Sequence, residues 1–293
     1  MPSPLPSILN FRDAGQTVND FTGREYVISK RLYRSASPDE CTIRDRQRLL
    51  VDFGIQTIVD LRTKTEHIEQ AQKRNAKIQS SELALQTNDD VASPLKIPAV
   101  TYHEINFNGW AFSKSLMSKL SWWNFGKLIA FMAMGYRKDA ISIIATNVMQ
   151  ERGIEGLAID SIDACGLEVK QVFSVLAEPA NYPIVLHCTQ GKDRTGLTIM
   201  LCLLLLGVPV DAINYDYMLT DGELVSGREE RLKEIRSIGL GDDFGRCAPG
   251  MVSKVDKHIQ DRYGGIQSYL TSVGVTDDMQ KAVIHNLRPD NTT

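Results

Sequence analysis

Cysteine is scarce in this chain, and what there is does not pair. Five cysteines occur in 293 residues, at Cys41, Cys165, Cys188, Cys202 and Cys247, and no two form a CxxC. An odd, scattered set excludes a secreted disulfide framework and fits a reducing compartment. Histidine is equally sparse, at five, with no HxxxH or HExxH spacing. Nothing calls for a zinc site, and neither a metal nor a cofactor is expected. An excess of positive charge is missing too: 33 Lys and Arg stand against 36 Asp and Glu, a net charge of −3. That balance excludes a broad nucleic-acid-binding surface, so no nucleic acid is expected as a partner, although a small cationic pocket is invisible to it. Long apolar runs are also absent. Leu197 to Val210 holds Gly207 and Pro209 and falls short of the ~20 residues that span a bilayer, so it reads as a buried core helix and not a transmembrane segment. The opening MPSPLPSILN lacks a basic n-region and does not read as a signal peptide. A cytoplasmic protein is the expectation.

What is present is ordinary globular material, 43% hydrophobic and 24% charged, which excludes a wholly disordered chain. Residues 31–37, 55–61, 100–107 and 183–187 have strand character; the second, IQTIVDL, is rich in β-branched residues and follows Gly54. Thr42 to Phe53 reads as a helix with Ile43, Leu49, Leu50 and Phe53 facing inward. Glu66 to Asn75 reads as a polar helix and 76–99 as a loop. From Trp110 to Ala164 apolar residues recur at three and four, and helices follow over Leu167 to Leu176 and Arg194 to Leu206. Strands separated by helices predict an α/β fold with a central, mostly parallel sheet flanked by helices. No linker composition breaks the chain. Residues 1–293 therefore read as a single domain with a helical insertion at about 110–164, rather than the ~2 domains that length alone suggests.

The informative segment is His187-Cys188-Thr189-Gln190-Gly191-Lys192-Asp193-Arg194-Thr195-Gly196. It follows a short apolar strand and opens the most apolar helix. A phosphate at a helix N-terminus meets unpaired backbone N–H groups and the positive end of the dipole. The five residues between Cys188 and Arg194 can curl so that successive N–H groups point inward, and Gly191 permits the backbone conformation this needs. Arg194 can grip two phosphate oxygens with its fork. A thiol in such a field ionises more readily than a free one, and the thiolate is the nucleophile, a role that falls to Cys188. Thr195 can offer its hydroxyl to that sulfur, and His187 can order the loop by hydrogen bonding. Thr189, Gln190, Gly191, Lys192, Asp193, Arg194 and Thr195 form the candidate phosphate-binding set, with Gly196 in support. A nucleotide P-loop is excluded: Lys192 is followed by Asp, and Leu186 stands where that motif needs its first Gly.

The segment HCTQGKDRTG resembles the signature loop of cysteine-based phosphatases. More narrowly it resembles the atypical tyrosine and lipid phosphatases that include the mycobacterial secreted tyrosine phosphatase B and fungal relatives. Asn10-Phe11-Arg12-Asp13, Tyr33-Arg34-Ser35-Ala36, Asp60-Leu61-Arg62-Thr63 with Glu66, and Tyr263-Gly264-Gly265 with Tyr269-Leu270 resemble further elements of that family. The resemblance implies a tyrosine-phosphatase-like fold with the cysteine loop at the carboxyl end of a strand. It implies a general acid within the loop, here Asp193; no WPD is present to supply another. It implies hydrolysis of phosphate monoesters through a phosphocysteine, foremost on phosphotyrosine protein. A dual-specificity or phosphoinositide substrate is the alternative, since Lys192 adds a second cation beside the phosphate. A family lid is implied for the helical insertion. Gln190 departs from the small Ala common at that position, and NFRD is followed by Ala14-Gly15 instead of Leu-Gly-Gly.

Several residues carry two readings. Arg12 and Asp13 either approach the phosphate pocket or form a surface ion pair. Asp60 and Arg62, at a strand end, fit bracing better than catalysis. Asp160 and Asp163 lie in a helical pattern and read as a solvated face. The insertion, with Trp122, Trp123, Phe125 and Phe131 among Lys119, Lys127, Arg137 and Lys138, reads as a lid, a packed helical hairpin or a membrane-docking surface. Two other classes compete with the enzyme: a catalytically silent phospho-ligand binding protein, and a sulfur transferase, which would not need Asp193 and Arg194 together. Oligomeric state is not legible.

Overall fold

The computed structural model describes residues 3–72 and 96–290. Five strands form one sheet: β1 (Arg12–Asp13), β2 (Leu32–Ser35), β3 (Thr57–Asp60), β4 (Thr101–Glu104) and β5 (Ile184–His187), in the order β1-β2-β5-β3-β4. Only β1 runs antiparallel; the other three pairings are parallel. The expected mostly parallel α/β sheet is therefore present, with β1 as an addition the sequence does not signal, since two residues carry no periodicity. Most of the expected loop 76–99, and the end of the helix expected to Asn75, lie outside the described residues.

Alternation sorts the central strands onto two faces. Leu32, Val59, Ile184 and Leu186 join the larger core, with the helices Gly166–Ala177, Asp193–Leu205, Met251–Tyr263 and Asp277–Leu287. Tyr33, Ile58 and Val185 join a smaller one with Leu5, Ile8, Phe11 and Leu49. Of the expected inward residues of the helix Ile43–Val51, Leu49 is buried but Ile43 is largely exposed. The helix Asp193–Leu205 buries ten of its residues, which accounts for its apolar run without a bilayer. No helix among the described residues is long and apolar enough to cross a membrane.

Register decides where chemistry gathers. Ser35 pairs with His187, His187 with Asp60, and Asp60 with Glu104. Four parallel strands thus end on one line, and the loops after them share one edge of the sheet, where open α/β folds place ligands. The insertion is helical in pieces: Trp110–Met117, Trp122–Ala133, Arg137–Ile144, a π-helical turn Ala145–Met149 and Gln150–Ala164. The last is broken at Gly153, at φ 62° and ψ 176°.

Candidate active site

His187 closes β5, and residues 188–192 turn back before the helix begins at Asp193. Three carbonyls of this turn are held from outside. The Ser37 amide donates to Thr189 O at 3.2 Å. Asn10 Nδ2 donates to both Gln190 O and Gly191 O at 3.0 Å, and Arg34 Nη2 donates to Gly191 O at 2.7 Å. A planar trans peptide carries its N–H opposite its carbonyl. Pulling these oxygens outward therefore turns the N–H groups of Gln190, Gly191 and Lys192 inward, the arrangement of an anion nest at a helix N-terminus. Gly191 sits at φ 65°, and a Cβ there would lie 2.1 Å from the Ser35 carbonyl oxygen. Only glycine fits both constraints.

The brackets that hold the loop are themselves anchored. Asp216, fully buried, accepts from Arg12 Nε at 2.8 Å and from Arg34 Nη1. Arg12 continues to Asp216 O at 2.6 Å, Thr220 Oγ1 at 3.0 Å and the Asn10 side chain. Burial opposes the Asp216 charge, but two guanidinium groups outweigh it and hold the carboxyl below its ordinary range. Arg12 is thus a brace. Asp13 is not in the site: it caps the helix Ala14–Thr22, accepting from Gln16 N at 3.1 Å, and takes the Lys30 amide. Gly196 lets Tyr217 approach closely, to 3.0 Å from where a Cβ would stand.

Arg194 projects from the first turn of the helix. Its Nη1 and Nη2 each donate to one oxygen of Glu66 at 2.6 Å, and Nη1 also reaches Leu61 O at 3.2 Å. Glu66 further accepts from Thr189 Oγ1 and, at 2.8 Å, from Thr63 N. Burial opposes both charges, yet the pair prevails: Glu66 is held well below the usual carboxylate range, and Arg194 is raised. A guanidinium has five N–H donors. Among the described residues, the Nε–H and one Nη2–H of Arg194 are left, adjacent along one edge of the plane, a fork shaped for two phosphate oxygens.

Asp60 and Arg62 build a second brace. Arg62 donates to Asp60 through its amide and Nε, both at 2.9 Å, and pairs with Asp39 at 2.8 Å. Burial opposes the Asp60 charge. His187 and then the Arg62 contacts outweigh that burial and hold Asp60 at about 2, while burial lowers the pKa of His187 itself. His187 Nδ1 lies 3.3 Å from the Cys188 carbonyl.

Cys188 stands at the base of the loop, 3% exposed. Cys165 and Cys202 are core residues, as their apolar surroundings in the sequence suggest, and burial pushes both thiols up to about 12. Cys247 rises to about 11 for the same reason. Asp193 is more than half exposed, and with Arg194 it opens into a cleft of about 880 Å³. Phe112, Arg137, Lys138, Ile141 and Leu157 of the insertion line the cleft's other wall. The insertion therefore forms part of the wall of the cleft into which Asp193 and Arg194 open.

The model of the tyrosine phosphatase family matches residues 3–288. This chain belongs to the tyrosine phosphatase family. A tyrosine-protein phosphatase of Nostoc commune is 32% identical over 120 residues, a match that spans 38% of this chain and 40% of that relative.

Around the loop, several residues stand elsewhere than the sequence suggests. The Lys192 ammonium, expected beside the phosphate, is buried and donates to the carbonyls of Phe244 and Arg246 at 2.8 Å each. A buried cation takes the acceptors that fix it, and here they belong to the segment 244–246. The Thr195 hydroxyl, expected on the Cys188 sulfur, is buried without a hydrogen bond. Asp160 is not on a solvated face: it is buried and paired with Arg152 at 2.8 Å and Lys119 at 3.4 Å. Asp163 binds His258, Arg262 and Tyr263, each at 2.8 Å. Glu66, Asn10 and Arg34 enter the sequence only as members of short family-like elements, yet they hold the loop and Arg194. Asp216 has no sequence signal, being one acid within the helix Val210–Glu223.

Proposed function

We propose that this protein is a phosphate monoester hydrolase that works through a phosphocysteine, with phosphotyrosine protein as its substrate. The observation that carries the reading is the loop itself: three carbonyls drawn outward, the amides of 190–192 inward, and the free edge of Arg194 beside them. A phosphate dianion entering there is bound by fixed dipoles and one guanidinium. Cys188 thiolate attacks phosphorus in line and forms the S–P bond as the ester oxygen leaves. Asp193, at the cleft mouth, gives that oxygen its proton. Water then attacks the phosphocysteine, its proton passing to the Asp193 carboxylate, and phosphate departs with the thiolate restored. Preorganised donors around the equatorial oxygens carry most of the acceleration. No step draws on a metal. The name of the Nostoc relative supports the tyrosine substrate.

Cys188→Ser is expected to lose at least about 10³-fold in hydrolysis of a chromogenic aryl phosphate while still binding inorganic phosphate by calorimetry. Undiminished turnover would overturn the nucleophile. Lost phosphate binding in a folded variant would overturn the loop as the phosphate site. Phosphate release from phosphotyrosine peptides, phosphoserine peptides and phosphoinositides, side by side, tests the substrate: the first should be fastest, and a faster lipid would replace the tyrosine assignment.

A further inference from the structure

The helix Trp122–Ala133, WWNFGKLIAFMA, is apolar nearly throughout, yet Leu128 is its only buried residue. Trp122 is 92% exposed and Trp123 74%, while Ile129 and Met132 are about half exposed. Trp122, Phe125, Ile129 and Met132 follow at i, i+3, i+7 and i+10, so they share one stripe of the helix. None of the four lines the cleft, so a place in the cleft wall does not explain them. A contiguous apolar stripe left in water marks an interaction surface.

Charge selects the partner. Between Trp110 and Met149 stand five basic residues, Lys114, Lys119, Lys127, Arg137 and Lys138, and one acid, Asp139, in a chain of net charge −3. Lys127 lies 5.4 Å over the Trp123 ring. Among the described residues Lys127, Arg137 and Lys138 have no carboxylate partner. Aromatic and aliphatic side chains on one face, with cations at the flank, form the pattern that lies in the interface of a negatively charged bilayer. Two copies of the patch facing each other would oppose like charges, which disfavours self-association.

We propose that the hairpin of Trp122–Ala133 and Arg137–Ile144 docks on an anionic lipid surface. The stripe enters the headgroup boundary while Lys127, Arg137 and Lys138 meet lipid phosphates and carboxylates. Because Arg137, Lys138 and Ile141 also line the cleft, docking sets the mouth of the site beside the membrane. The proposal does not depend on the reaction assigned above, since vesicle binding is read without turnover.

The test is sedimentation of the full chain with vesicles of phosphatidylcholine alone or mixed with phosphatidylserine, together with tryptophan emission. Binding to the mixed vesicles, a blue shift, and weakening with added salt are expected. The double variant Trp122→Ser, Trp123→Ser and the single variant Lys127→Glu should each lower partitioning about tenfold or more. Both should keep the circular dichroism spectrum and the vesicle-free aryl phosphatase activity. Absence of binding, or equal binding to neutral and anionic vesicles, would overturn the proposal. So would a wild-type dimer that the tryptophan variant disperses.

Discussion

Arg194 divides its donors between two jobs, and Glu66 is what makes the division possible. With one N–H of each Nη held by carboxylate, the guanidinium plane is fixed before any phosphate arrives, so less order is lost on binding. Glu66→Gln replaces two charge-assisted contacts by one neutral one and frees that plane. Steady-state kinetics should show kcat/KM down by about 10- to 100-fold with both parameters affected, whereas a purely structural loss would instead lower the folded fraction. Asp60 gives a prediction in pH. Its carboxyl stands at about 2 against an ordinary 3.8, so it contributes about 2 kcal/mol of stability. That contribution is complete above pH ~4 and is lost as pH falls through ~2. Urea unfolding at pH 6 and pH 3 should show a smaller drop for Asp60→Asn than for the wild type, because the variant lacks the titrating group. Equal drops would detach Asp60 from the acid response.

At the scale of elements, the site is a product of register. Had β5 slipped one residue against β3, His187 would no longer face Asp60, and the loop would leave its brackets. Strand ends and the loop–helix turn were legible because they rest on local chemistry: β-branched runs in IQTIVDL, apolar PIVLH, a glycine where φ must be positive. The brace was not, because its members are distant and individually plain. Arg12 reaches Asp216 across 204 positions, and no periodicity announces such a pair. Lys192 shows the same limit in reverse. Its identity fits a phosphate loop, and only the fold reveals that Phe244 and Arg246 claim its ammonium. Asp216→Asn tests the brace: the buried Arg34 and the mostly buried Arg12 would keep only a neutral acceptor, at a cost of about 3–5 kcal/mol. The midpoint of chemical unfolding should fall accordingly. A midpoint unchanged from wild type would mean that the loop is held by other contacts.

Across the whole molecule, charge is unevenly spread: the chain is acidic overall while the hairpin of Trp122–Ala133 and Arg137–Ile144 is basic. The site is also assembled from distant parts of the chain, from Asn10 to Arg246. Asn10 donates to residues 190 and 191 across 180 and 181 positions, Arg34 to Asp216 across 182, and Lys192 to Arg246 across 54. During synthesis, therefore, the HCTQGKDRTG motif and its Asn10 and Arg34 brackets are complete before Asp216, which anchors those brackets, has emerged. A fragment ending ahead of Asp216 would carry every residue assigned to the reaction, and titration calorimetry should find that it binds no phosphate. Tight phosphate binding by that fragment would mean the loop shapes itself. If it does not, the unfinished chain is chemically silent on the ribosome, and activity appears only once Asp216 has joined Arg12 and Arg34.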